Sequence, residues 1–276
     1  MVELFQALTS PYASFLRYAF MVGIISSIPF GVVGTYVVTK RISYIAGAIS
    51  HSILGGIGAA LYFNFNPTIG AIAAALTAAF IIGFVSMYAK QREDSVIGSV
   101  WAIGMALGIM FISQTSAYTA SLMSYLFGNI LLISQTDLIV ISILSFIVLL
   151  ICCLFYSKFL AICFDEEHAR SRGINVGFYY LLLLCLTAIT IVLLVRIVGI
   201  IMVIALLTLP SAVASYFSNK LSSMMIISVI FCMFFTVIGL SASFIYNLPS
   251  GPTIIIFAGI IYIAITIILK VLNKNS

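Results

Sequence analysis

Long apolar runs dominate the chain, each closed by a short polar or turn-forming stretch. The runs fall at 15–38, 43–63, 67–89, 95–114, 137–160, 175–195, 198–217, 221–245 and 252–271. Runs of about 20 apolar residues, rising about 1.5 Å per residue, cross the roughly 30 Å hydrocarbon core of a bilayer. The separators carry the polar chemistry: Thr39-Lys40-Arg41, Asn64-Phe65-Asn66-Pro67 and Lys90-Gln91-Arg92-Glu93-Asp94. One further run, 118–134, is shorter and is broken by Gly128-Asn129. It is expected to be a short re-entrant helix plus a turn, entering and leaving on one side, which a membrane tolerates where protein surrounds the backbone. The pattern predicts an all-α polytopic membrane protein with about nine (eight to nine) transmembrane helices. Connections this short leave no room for a separate soluble domain, so residues 1–276 are expected to form a single transmembrane domain.

Composition sharpens that picture. Of 276 residues, 63% are hydrophobic and 7% charged, against about 45–50% and about 25% in soluble domains. A soluble enzyme, a nucleic-acid binder and a disordered chain are excluded. The five cysteines (Cys152, Cys153, Cys163, Cys185, Cys232) are odd in number, lack CxxC spacing and lie mostly in apolar runs. They read as small lipid-compatible side chains rather than disulfides or a metal cage. A cleavable signal peptide is not expected, because Glu3 occupies the basic n-region and the first apolar run is too long.

Charge sets orientation. With the amino terminus outside and 118–134 re-entrant, Lys40, Arg41, Lys90, Arg92, Lys158, Arg170, Arg172, Lys220, Lys270 and Lys274 fall on the cytoplasmic side. Arg17 and Arg196 fall outside. That asymmetry is the positive-inside bias, and it is scrambled if 118–134 becomes a full span. The carboxyl terminus is then cytoplasmic, in a multi-pass protein of the cell (inner or plasma) membrane.

The acidic residues are Glu3, Glu93, Asp94, Asp137, Asp165, Glu166 and Glu167, all in loops or at helix ends in this topology. Ion-coupled carriers usually need a carboxylate at membrane depth. None is expected here, so transport is either passive or driven by another chain. The phosphate-loop pattern GxxxxGK(S/T) and the metalloprotease pattern HExxH are absent. Gly239-Leu240-Ser241-Ala242 lacks the second glycine of a serine-hydrolase GxSG.

His51 lies near the middle of the second span, within Gly47-Ala48-Ile49-Ser50-His51-Ser52-Ile53-Leu54-Gly55-Gly56. Gly47, His51 and Gly55 share a helical face, with Ser43 and Gly58 close to it. Such a stripe gives either a close helix contact, with the imidazole bonded to a carbonyl, or space for an ion. In the second case His51 is a transient ligand for a transition metal, helped by hydroxyl, amide or water oxygens.

The most charged stretch runs from Phe164-Asp165-Glu166-Glu167 through His168-Ala169-Arg170-Ser171 to Arg172-Gly173-Ile174. Asp165 can cap a short helix, the acids fill its first turn and Gly173 can stop it. It is either a solvated loop or a docking helix for a cytoplasmic partner. His168 reads as exposed. Pro210 lies inside a span and bends it, and Leu248-Pro249-Ser250-Gly251-Pro252 is a turn that opens the last span.

Together these residues resemble the zinc/manganese (metal-ion) permease family of ABC importers. The matching pieces run in order along nearly the whole chain. They are Arg41-Ile42-Ser43 with Ile49-Ser50-His51-Ser52 and Gly55-Gly56, then Glu93-Asp94 with Ile97-Gly98 and Ala106-Leu107-Gly108. Tyr125-Leu126-Phe127-Gly128-Asn129-Ile130-Leu131 is similar to the family's YLFGxxL element, and Phe164-Asp165 with Ala169 and Gly173-Ile174 to its coupling helix. Val198-Gly199, Leu209-Pro210-Ser211-Ala212 and Pro249-Ser250-Gly251-Pro252 resemble its late spans and final turn.

The resemblance implies a homodimeric permease, a cytoplasmic ATP-binding subunit and an extracytoplasmic metal-binding protein that delivers the ion. Many members carry an Asp one turn before the histidine, where this chain has Gly47. That departure leans the cargo to zinc over manganese, which prefers oxygen ligands, with iron a further candidate. His51 is then the transient metal ligand, with Ser43, Gly47, Ser50, Gly55 and Asn129 as path-lining candidates. Phe164, Asp165, Glu166, Ala169 and Gly173 are expected to couple to the ATPase. The chain itself is expected to bind no cofactor and not to be an enzyme, with ATP held by the partner subunit. Other readings are a permease for chelated iron, siderophore or cobalamin-type cargo, a membrane hydrolase using Ser241 and His51, and a passive channel.

Overall fold

The computed structural model describes residues 14–88, 93–115, 123, 125–128, 130 and 133–274. The described residues are almost wholly helical: α1 (Ser14–Lys40), α2 (Ser43–Tyr62), α3 (Pro67–Tyr88), α4 (Glu93–Ser113), α5 (Gln135–Leu154), α6 (Tyr156–Phe164), α7 (Glu166–Ser171), α8 (Val176–Val198), α9 (Val203–Phe217), α10 (Leu221–Tyr246) and α11 (Ser250–Lys274). A 3-10 turn, Ile200–Met202, leads into α9. Among the described residues, nine helices are long and apolar enough to span a membrane, α6 and α7 being too short. These nine correspond to the nine apolar runs.

Burial ranks the helices. The apolar window of α8 is 72% buried, those of α1 and α2 are 67% buried, and those of α4 and α11 only 17%. The bundle is therefore centred on α1, α2 and α8, with α4 and α11 at its rim. Hydroxyls in this interior do not break the apolar pattern, because Ser26, Ser27, Thr35, Thr187, Thr190 and Thr236 each donate to a carbonyl one turn earlier. Ser211 and Ser228 instead bond to each other at 2.8 Å, joining α9 to α10.

Glycine decides how closely α2 approaches its neighbours. A Cβ on Gly56 would run into the carbonyl oxygen of Gly70 in α3. One on Gly58 would stand 2.6 Å from the Gly108 carbonyl oxygen in α4. The small-residue stripe is thus a pair of backbone contacts on two faces of α2, the arrangement that drives association where lipid offers no hydrophobic incentive.

The ends of the helices sort into two sets. Lys40, Arg41, Lys158, Arg170, Arg172, Lys220 and Lys270 belong to the end where α1 meets α2, α3 meets α4, and α6 and α7 lie. Arg17 and Arg196 belong to the opposite end. Helix α4 finishes and α5 begins at that same opposite end; the short re-entrant helix expected at 118–134 lies mostly outside the described residues, which in that stretch are 123, 125–128, 130, 133 and 134. Among them Gly128 (φ 67°) packs backbone to backbone against Gly199 (φ 84°). Both positions require a left-handed conformation that a side chain resists.

Two boundaries differ from expectation. The apolar run 137–160 reads as one span, but α5 ends at Leu154 and α6 restarts at Tyr156. The cause is aromatic packing: Phe159 sits edge-on to Tyr36 of α1 at 5.4 Å, and Phe155 lies 5.6 Å from Tyr179 of α8. The bend at Phe155 lays α6 against α1 and α8. At the other end of the bundle, α8 continues to Val198, beyond the expected 195, until Gly199 breaks it. The start of α5 is fixed by a reciprocal capping box between Ser134 and Asp137.

Candidate functional site

His51 occupies the middle of α2 and is buried. It is the one Asp, Glu, Lys, Arg or His among the described residues in the buried class. Its ring lies flat against the indole of Trp101 in α4, with centroids 4.3 Å apart and planes 14° from parallel. The imidazole Nδ1 is shut off from solvent and has no hydrogen-bond partner. A buried nitrogen left this way carries a desolvation cost of about 1–3 kcal/mol, which a ligand can relieve.

The surrounding residues are occupied with one another. Ser50 donates to the Gly47 carbonyl at 2.7 Å. Ser52 donates to the Ala48 carbonyl at 2.8 Å and reaches the Val100 carbonyl of α4 at 3.3 Å. At Gly47, an added Cβ would meet Ile204 Cδ1 at 2.8 Å and Trp101 Cζ3 at 3.1 Å, so both side chains already fill the place beside the histidine. Gly55 faces the Gly104 carbonyl oxygen of α4 at 3.0 Å from its would-be Cβ. Ser43 opens α2, two turns away and half-buried. Asn129 lies outside the described residues. No group of three or more His, Cys, Asp or Glu side chains among the described residues could hold a metal ion. The arrangement offers one nitrogen ligand, suited to an ion that passes and not to one that is stored.

A second constellation lies at the Lys40 end. Asp165 caps α7, its carboxylate accepting from the His168 amide at 2.9 Å. Glu166 is ion-paired with Lys40, the last residue of α1. The same ammonium donates to the Ile162 carbonyl of α6 at 2.8 Å and stands 5.9 Å over the Tyr180 ring of α8. One cation thus ties α6 and α7 to two central helices. Ala169 is completely buried, holding the charged turn onto the bundle, while Phe164 and His168 are exposed. Gly173 (φ 74°) ends the element, its amide donating to the Arg170 carbonyl at 2.9 Å. Burial pushes the Cys163 thiol up to about 12, against the opposing pull of Lys40. Beside the insert lies a cavity of about 610 Å³, lined by Lys40, Arg41, Arg170, Glu166, Ser86 and Tyr180 among others.

At the opposite end Arg196, closing α8, bonds to Thr68 at the start of α3 and lies 3.4 Å from Asp137 at the start of α5. The cation at this end of the bundle is therefore a tie between three helix ends.

Sequence reasoning missed three of these groups: Trp101, Lys40 as the anchor of the insert, and Arg196 as a tie. Trp101 carried a signal, being the single tryptophan of the chain. Lys40 looked like any span-ending cation until its partner 126 residues away was in view.

Residues 12–269 match the ABC 3 transport family. A probable metal transport system membrane protein of Chlamydia pneumoniae is 40% identical, covering 93% of this chain and 90% of that one. The manganese transport system membrane protein MntC of Listeria monocytogenes is 37% identical, covering 90% of this chain and 89% of that one. Among solved structures, PsaBC from Streptococcus pneumoniae in complex with Fab superposes with a TM-score of 0.87 at 30% identity, over 96% of this chain and 94% of that chain.

Proposed function

The chain belongs to the ABC 3 transport family, and we propose that it is the permease subunit of an ATP-driven importer for a divalent transition metal ion, with zinc the first cargo and manganese or iron next. The whole of 1–276 acts as one transmembrane domain. It pairs with a second copy of itself, receives the ion from an extracytoplasmic metal-binding protein and takes its energy from a cytoplasmic ATP-binding subunit. The Lys40 end faces the cytoplasm, in keeping with the excess of cations there; the amino terminus is outside and the carboxyl terminus inside.

The observation that carries the reading is the unpartnered Nδ1 of His51 in the middle of a helix whose neighbours are apolar. A lone imidazole at membrane depth is costly for a merely structural contact and apt for an ion in transit. Ser43, Gly47, Ser50, Gly55 and Asn129 belong to the same path in this reading, with the backbone carbonyls exposed by glycine and water completing the ion's shell.

The coupling region is the insert around α7. Phe164 presents an exposed apolar ring, and Asp165, Glu166, Ala169 and Gly173 shape and anchor the turn that carries it. ATP on the partner favours one access state over the other only through contacts that differ between them, and a turn bolted to α1 through Lys40 conveys such a difference to the bundle. The Arg196 tie holds the outer helix ends together while the ion waits at His51.

The test is uptake of radiolabelled zinc by cells carrying the complete transporter. His51→Ala is expected to lower uptake about tenfold, the loss of roughly one weak ligand bond of about 1.4 kcal/mol, with the protein still in the membrane. Uptake at the wild-type level would return His51 to a packing role.

A further inference from the structure

The parallel stack of Trp101 on His51 is the part of the path that no resemblance assigns. Aromatic pairs prefer offset-stacked or edge-on arrangements to a face-to-face sandwich, and rings 4.3 Å apart and 14° from parallel place the imidazole over the face of the indole. A neutral imidazole gains little from the electron-rich face of an indole. An imidazole that has donated its lone pair to a divalent ion gains more, because part of the ion's charge spreads onto the ring and meets the negative face of the indole, as a cation does.

Three further observations fix the indole in that role. Its partner's Nδ1 is buried without a hydrogen bond, so no protein group competes with an ion for that nitrogen. Gly47, one turn before His51, leaves room for the indole, which approaches a would-be Cβ to 3.1 Å. Tyr44 flanks Trp101 at a centroid distance of 5.9 Å. Flat contact with the indole on one side restricts the imidazole to one ring plane, and the missing side chain at residue 47 lets the indole come that close.

We propose that Trp101 is a positioning residue of the ion path: it orients His51 and, through its π face, stabilises the imidazole when a divalent metal ion is bound to it. This rests on the reading of His51 as a metal ligand. The indole contributes no ligand atom; it acts through the histidine.

The chain supplies its own reporter, since Trp101 is its single tryptophan. The full chain in lipid nanodiscs, titrated with zinc chloride alone, is expected to show a saturable change in tryptophan emission that His51→Gln removes. In cells with the complete transporter, where the delivering protein sets the KM, Trp101→Ala is expected to lower the maximal rate of zinc uptake about tenfold with KM nearly unchanged, and Trp101→Phe about two- to threefold, because the smaller ring keeps part of the π face. If Trp101→Ala fails to reach the membrane, the Trp101→Phe shift and the wild-type emission still decide the matter. Emission indifferent to zinc over a titration up to about millimolar, the range in which a weak site fills, would overturn the proposal, as would an unchanged maximal rate in Trp101→Phe. Should His51→Gln leave uptake intact, the metal-ligand reading itself fails; should His51→Gln lower uptake while the tryptophan variants behave as wild type, the role of Trp101 alone fails.

Discussion

The middle of α2 and the insert around α7 solve opposite problems. Around His51 the bundle removes charge: hydroxyls are turned back to their own helix, glycines bring backbones together, and one imidazole nitrogen is left without a partner. Around α7 charge is concentrated and paired, with Lys40 shared among Glu166, the Ile162 carbonyl and the Tyr180 ring. The first region is poised because something is missing, the second firm because everything is tied. In the proposed reading the first region is a path, which must accept and release, and the second a lever, which must not slip.

The sharpest way to break this contrast is to attack the lever. Ala169 is completely buried, so Ala169→Arg forces an unpaired charge under α7 and is expected to cut metal uptake at least about a hundredfold. Immunoblotting of the isolated membrane fraction should still find the protein there. Near-normal uptake would detach the insert from transport.

Next in size is a challenge to the close approach beside the path. At Gly104 a Cβ would stand 2.5 Å from the Ser52 Cα, a backbone atom that cannot turn aside. Gly104→Leu is expected to cost about 3 kcal/mol or more of stability by overpacking, seen as a lower midpoint of unfolding in detergent. An unchanged midpoint would show that α2 and α4 can part without penalty.

A smaller effect separates anchoring from charge as such. Lys40→Met leaves Glu166 with no ion-pair partner and is expected to lower uptake about fivefold, since such half-exposed pairs are individually weak. Adding Glu166→Gln should recover part of the loss. If the double variant is no better than the single, the pair is not what links α1 to α7.

The least effect is chemical. With its thiol pushed up to about 12 by burial, Cys163 stays protonated at pH 8, and the thiolate is the reactive species. Maleimide labelling of Cys163 at pH 8 should therefore be slow, and should accelerate if Ala169→Arg loosens the insert. Rapid labelling of the unmodified chain would show that the insert is not packed as described.

Much of this was legible beforehand. The apolar runs, the Asp165 cap and the Gly173 stop follow from local rules that the chain obeys wherever it lies. The run 137–160 misled because its composition is uniformly apolar through Phe155, and only Tyr36 and Tyr179, far off in the chain, tell α6 to bend away. Gly47 and Gly55 read as one stripe, yet one makes room for Trp101 and Ile204 while the other meets a backbone carbonyl.

By itself the sequence determined that this chain lives in a bilayer, that eight to nine of its segments are long and apolar enough to cross it, and where cations gather. Those outcomes depend on the transfer of each segment between water and lipid, a property of the segment alone. Tertiary structure decided what each special residue touches. The indole on His51 comes from a different helix, and Glu166 finds Lys40 across more than a hundred residues. Such contacts are settled by which surfaces fit when the helices pack, and no local pattern encodes the fit.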